Sequence, residues 1–181
     1  MVNYSGGADP YGAALGLVAQ PYPMQTANNN NLGATSGVVI GALVRPVKPL
    51  ITNLLLWLAT AGGTSTGVSE MGLYTEGGTL LAATADMTAA LTNAANNATV
   101  LSTALSTAQA VSTSSNYYVA LLCQLTTAPT IVGNDVGAGF TTPTINGHKP
   151  SWTLTGQTAL PASVNIAATT TPVADFWFGA T

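Results

Sequence analysis

The chain has 181 residues and a mass of 18.1 kDa, enough for one domain with a core of its own. Only 5% of its residues are Asp, Glu, Lys or Arg, against about 25% in an ordinary globular chain, and the formal charge is −3. So few cations argue against nucleic-acid binding, which depends on neutralising phosphates, and no apolar run reaches the roughly 18 residues of a membrane span.

Area scaling gives a folded surface of roughly 8,000 Å², or about one charge per 900 Å². That surface must be Thr, Ser, Asn, Gly and Ala. Removing such groups from water costs far less than removing Lys or Glu, so the composition favours contact with other subunits. A secreted β-domain kept soluble by hydroxyls and amides is the alternative. The single cysteine, Cys123, excludes an internal disulfide and lies in an apolar run, where it reads as a buried small hydrophobe. The first basic residue is Arg45, so the positive leader of a secretory signal is missing and synthesis in the cytoplasm is expected.

In chain order, residues 1–36 hold Gly6-Gly7, Pro10, Pro21, Pro23 and four consecutive asparagines, which break helical and strand periods alike. They predict an extended arm with short local pairings. Tyr4, Tyr11 and Tyr22, with Leu15 and Leu17 of an apolar AALGLVA run, are its candidate assembly-interface residues, because tyrosine buries much area at low entropy cost; packing of the tyrosines within the chain is the equal alternative. Residues 37–181 then form the domain. Residues 38–44 predict a first strand, ended by Pro46 and Pro49.

Residues 51–83 organise the rest. Leu54, Leu56 and Leu58 fall on one face of a strand, with Asn53, Leu55 and Trp57 on the other, which predicts a central strand. Met71 and Leu73 continue the pattern up to Glu76-Gly77-Gly78, a two-residue hairpin signal, and Leu81 follows it. Residues 85–97 predict one or two helical turns with Asp86 as N-cap. Residues 99–106 and 108–112 read as two strands. Residues 116–125 form a second core strand, with Tyr117, Val119, Leu121, Cys123 and Leu125 on one face and Tyr118, Ala120 and Leu122 on the other. Its phenols need hydrogen-bond partners. Residues 126–150 read as a long contact loop, followed by short strands at 152–154, 162–167 and 174–179. Eight or nine strands with turn signals between them predict an all-β, antiparallel β-sandwich of jelly-roll type.

Residues 63–67 match G-x-S-x-G, but Ser65 lies in a Thr/Gly loop leading to a strand, whereas a nucleophile elbow leads to a helix. His148 is the only histidine and sits in a turn. Glu70, Glu76, Asp86 and Asp135 are scattered, and no Cys/His cluster is present, so the sequence offers no catalytic, cofactor or metal site. A hydrolase would need two carboxylates about 5–10 Å apart in a cleft. Two glycosylation sequons, at Asn3 and Asn97, carry little weight without a signal peptide.

The segments ITNLLLWLATAGG, MGLYTEGGTLLAATAD, NYYVALL, LPASVNI and ADFWFGA resemble the small β-sandwich virion proteins of tailed bacteriophages, especially phages of actinobacteria. The resemblance spans residues 38–181 and leaves the arm unmatched. It implies a virion structural protein, a capsid decoration or minor capsid subunit that assembles as a homotrimer against major capsid or tail proteins. It carries over no catalytic residues. Glu76 stands at a turn where Asp or Asn is common in that group, and the low charge is a further departure. The alternative is a minor tail or tail-tip protein that binds host-surface glycans, with Trp152, Tyr117 and Trp177 as candidate stacking residues, although core positions explain all three as well.

Overall fold

Residues 50–60 form β4 (Leu50–Thr60), whose Leu54, Leu56 and Leu58 are fully buried on one face while Asn53 and Trp57 are half-buried on the other. The two-residue period of a strand requires that division. The computed structural model describes residues 19–20, 28–33, 36–135, 148–170 and 174–181. In it, two antiparallel sheets pack together as an all-β sandwich with β4 central in one of them.

Sheet A places β7 (Thr99–Ala110) on one side of β4, with β12 (Phe178–Ala180) and β9 (Thr130–Asp135) on the other. Strands β11 (Ala174–Phe176) and β2 (Asn28–Gly33) border β9. Sheet B runs in the order β10 (Ser151–Leu154), β3 (Val38–Pro46), β8 (Tyr117–Cys123), β5 (Glu70–Thr75) and β6 (Leu80–Ala83). A two-residue strand, β1 (Ala19–Gln20), pairs with both β3 and β12 and joins the sheets along one side. The sandwich matches the sequence expectation; these pairings do not establish the jelly-roll connectivity within it.

The main core lies between the sheets, where Ile40, Met71, Leu73, Val119 and Leu121 of sheet B meet Leu54, Leu56, Leu58, Ile131 and Phe178 of sheet A. Each such side chain contributes about 1.5–3 kcal/mol on full burial. A second cluster forms on the outer face of sheet B, where Tyr118, Ala120 and Leu122 of β8 meet Trp152, Leu160 and Val164. Strand β8 is therefore buried on both faces, in the alternation read from its sequence. The segment after β10 crosses this face as a cover, with Ala162 O accepting from Leu80 N–H at 3.0 Å and Val164 N–H donating to Gly78 O at 2.8 Å.

Two glycines permit the close approach of the cover. The Trp152 indole lies on Gly41, where a Cβ would overlap it. Gly78 has φ +86° and sits against Val164 O, so a side chain there would be both strained and obstructed. The β5–β6 turn also differs from a two-residue hairpin: Gly78 N–H closes on Thr75 O at 2.9 Å, and the register shifts beside it. Only Gly78 is left-handed, which gives a longer loop ending in a bulge.

Several other expectations are corrected. Residues 99–110 make one strand, because residues 105–108 of β7 bulge out opposite the single Thr52 of β4 without ending the pairing. Residues 126–150 are not one loop, since Ile131 and Val132 pair into sheet A as part of β9. Residues 162–167 form no strand: they bridge sheet B once, at Ser163, and enter a 3-10 turn at Ile166–Ala168. The C-terminal strand is two strands that bend at Trp177, since β11 is antiparallel to β9 and β12 to β4, which are themselves antiparallel. Helix α1 (Thr88–Thr92) starts one residue later than an Asp86 cap implies; Met87 occupies the cap position, yet Asp86 Oδ1 still accepts from Thr88 N–H at 2.9 Å.

Within the expected arm, β1 and β2 are both paired into the sandwich. Tyr4, Tyr11, Leu15, Leu17 and Tyr22 lie outside the described residues.

Replacing Gly41 with Ala is expected to destabilise the chain by about 1–3 kcal/mol, the usual cost of overpacking a tight contact. The urea unfolding midpoint measures it; an unchanged midpoint would show that Trp152 is free to move off β3.

Candidate assembly surface

Charged side chains are few, and most of those described are held inside the molecule's own hydrogen-bond network. Arg45 Nε donates to Thr113 O at 3.4 Å, and Glu70 Oε1 accepts from Leu160 N–H at 3.4 Å. Lys149 Nζ donates to Thr169 O at 2.6 Å and Ala167 O at 3.1 Å, closing the cover on itself at the end of its 3-10 turn. Glu76 Oε1 accepts from Asn116 Nδ2 at 3.1 Å and pairs with His148 Nδ1, so this histidine is a partly exposed clasp on the β5–β6 turn. Among the described residues Lys48 has no partner.

Asp86 is the most heavily bonded acid. Its Oδ1 accepts from Thr88 Oγ1 at 2.5 Å, Thr88 N–H at 2.9 Å and Ser69 N–H at 3.3 Å. The Thr88 hydroxyl first, then its N–H, with Ser69 N–H as a smaller contribution, holds the carboxyl below the usual carboxylate range.

The phenols find their partners within the chain. Tyr118 OH donates to Lys149 O at 2.9 Å and Tyr74 OH to Pro161 O at 3.0 Å, while Tyr117 OH accepts from Ser112 N–H at 2.9 Å. Burial, with the Glu76 charge adding to it, pushes the Tyr118 phenol up to about 12, and burial likewise pushes the Cys123 thiol up to about 11. Trp152 is fully buried, edge-on to Tyr74 and Tyr118, and its Nε1–H has no acceptor among the described residues. Of the three aromatics that sequence left open between glycan stacking and the core, Trp152 and Tyr117 are core residues.

The β4–β7 part of the outer face of sheet A carries no charged side chain among the described residues. The outer face of sheet A carries Asn53, Leu55 and Trp57 from β4 opposite Ala104, Ser102 and Val100 from β7. Val100 is 46% exposed, Ser102 and Ala104 are exposed, and Trp57 meets the half-buried Trp177 edge-on at 6.4 Å. Strand alternation puts Trp57 on this face with Asn53 and Leu55, whereas its place opposite Val100 depends on strand register.

The G-x-S-x-G stretch is a structural ribbon. Ser65 Oγ donates to Gly67 O at 2.8 Å, and the loop is tied to the end of β8 through Ser65–Leu125 and Thr66 N–H to Gln124 O. Glu76 and His148 lie at the other end of β8, beside Tyr117. The described residues contain no group of three His, Cys, Asp or Glu side chains placed to hold a metal ion, and no helix among them is long and apolar enough to cross a membrane. A scan against protein-family models and a search of curated proteins each return no match.

A maleimide probe should leave Cys123 unlabelled in the native chain at pH 8 and label it fully in urea; rapid native labelling would show that the β8 core opens. For Asp86, the folded carboxyl titrates below its unfolded value, so its contribution is present above the ordinary carboxylate range and is lost as pH falls through the lowered value. Asp86→Ala should therefore destabilise the chain at neutral pH, by a gap that closes towards acid. Denaturant titrations from pH 7 to pH 2 read this, and a gap independent of pH would refute the assignment.

Proposed function

We propose that this chain is a bacteriophage virion structural protein, a capsid decoration or minor capsid subunit that assembles as an oligomer, a trimer in the resembling group. The observation that carries the reading is the nearly uncharged exterior: most described charges are engaged internally, and the β4–β7 face presents Val100, Ser102, Ala104 and Trp57 with no charge among them. Covering such a face removes apolar surface from water without stranding an unpaired charge. A contact of about 800 Å² per partner is the usual size for a specific interface, roughly a tenth of the 8838 Å² accessible surface. The resemblance of residues 38–181 to small phage virion proteins points the same way. The proposal places the chain on the virion and includes no catalytic step, cofactor or nucleic acid.

One observation favours a second reading, a tail-tip protein that binds host-surface glycans. Trp57 and Trp177 meet at right angles on the outer face of sheet A, a corner able to stack the apolar side of a sugar ring.

The deciding experiment is the position and copy number of the chain in the intact particle by cryo-electron microscopy, with wild type compared to a Val100→Lys, Ser102→Glu variant. The reading expects many copies on the icosahedral shell, and loss of occupancy for a variant that remains folded by circular dichroism. Undiminished occupancy would refute the assigned face. A few copies at the tail tip would favour the glycan reading.

A further inference from the structure

Two of the chain's three Lys and Arg residues, and two of the four strongly exposed large apolar side chains among the described residues, fall within the six residues that run from the end of β3 through its turn to the start of β4. Arg45 near the end of β3 and Lys48 in the turn are exposed, beside Val47 at 45% and Leu50, the first residue of β4, at 49% exposure. Outside this turn the sequence holds six acids and one base, a formal charge of 1 − 6 = −5. The turn is thus a local positive, apolar knob on an otherwise negative molecule.

A third exposed apolar side chain, Val68 at 48%, lies beside Asp86, since Asp86 Oδ1 accepts from the N–H of the next residue, Ser69. Every hydrogen bond that fixes Asp86 goes to Oδ1, and no described residue bonds Oδ2. Exposed Ala85 and Ala89 flank it. This corner is negative and apolar, the converse of the knob. Helix α1, which follows Asp86, is tied to the C-terminal end of β4 by the bond from Gly62 N–H to Leu91 O at 2.8 Å, whereas Leu50 begins β4. The 11 residues of β4 span roughly 33 Å at the rise of a strand. Knob and corner therefore cannot meet within one molecule, and a knob set against another knob would repel.

We propose that the 45–50 turn of one copy docks on the Val68–Asp86 corner of the next, with Lys48 on Asp86 Oδ2 and Val47 and Leu50 covering Val68. The contact rests on the assembly reading only in taking a second copy as its occupant. It is head-to-tail, so copies close into a ring if the rotation between them allows and extend as a filament if it does not. An isolated two-fold dimer is not its product. Arg45 adds to the positive field that steers the encounter, which makes association sensitive to salt.

Sedimentation velocity on the purified full chain, across protein concentration at low and high salt, tests the contact. Wild type should self-associate reversibly, less so at high salt. Lys48→Glu should weaken association about tenfold or more, as should Asp86→Asn, which keeps the acceptor for Thr88 and Ser69. Mixed together, the two variants retain one native contact, in which Lys48 of the Asp86→Asn chain meets Asp86 of the Lys48→Glu chain, so they should form a 1:1 complex and nothing larger. Variants that associate like wild type, or a wild type that stays monomeric throughout, would overturn the proposal. A monomeric chain that still occupies the particle would overturn this contact and leave the virion reading standing. Self-association dependent on Lys48, in a chain absent from the particle, would do the reverse.

Discussion

Sheet B is apolar on both faces, and the architecture follows from having to cover each of them. The inner face of β8 packs Val119 and Leu121 against β4, as in any sandwich. Its outer face carries Tyr118, Ala120 and Leu122, which exposed to water would cost about 25 cal/mol for every square ångström of apolar area. The chain meets this by returning after β10 and laying Leu160 and Val164 across the sheet. A cover that close needs a strand with no side chain beneath Trp152, which is Gly41, and a turn with no side chain against its backbone, which is Gly78. It also gives Tyr74 and Tyr118 carbonyl acceptors that a bare sheet would lack. The unpartnered Trp152 N–H is an unfavourable contribution set against burial of the whole indole.

The same cover explains where the charges went. Glu70, Lys149 and the Glu76–His148 pair all fasten segment 148–170 to sheet B or to itself. A carboxylate or ammonium bonded to backbone groups makes a stronger hydrogen bond than a neutral side chain does, so a few charges suffice to hold a segment with little regular structure. The chain's scarcity of charge and its internal use of what it has leave the exterior to hydroxyls and small apolar groups. The knob at 45–50 stands out only against that background.

The strongest elements were legible in the sequence because their signal is local. Alternation alone identifies the faces of β4 and β8, and a Gly-Gly pair alone marks the β5–β6 turn. What was not legible depends on partners distant in sequence. Residues 130–135 read as loop because Ile131 and Val132 are too short an apolar run to stand out among Gly, Thr and Pro, and pairing with β4 makes them a strand. Residues 162–167 alternate like a strand, but their backbone groups bond singly to Gly78 and Leu80 and form no ladder. Of the surface, composition foretold its low charge. The corner at Trp57 and Trp177 could not be foretold, because it brings together strands 120 residues apart through the bend at Trp177. Sequence leaves Trp152 open between surface and core, and its pairing opposite Gly41, which no local signal announces, places it in the core.

An uncharged sandwich faces a hazard that charged ones avoid. Among the described residues strand β7 borders sheet A, contains no Lys, Glu or Pro, and is long enough to template another strand. The usual protection by an edge lysine is missing, and the geometry supplies another. Between Ala104 and Gln109 the strand departs from its partner, Leu105 turns into the core, and Thr84 bridges to it from the other side. Thr52, left unpaired by the bulge, bonds the C-terminal Thr181 O instead. A bulge twists the local edge and divides the ladder into two short stretches, which discourages open-ended pairing without adding charge. With that edge interrupted and the outer face of sheet B covered, the proposed assembly would draw on the β4–β7 face and the ends of the sandwich, where contact buries side chains without extending a β-ladder.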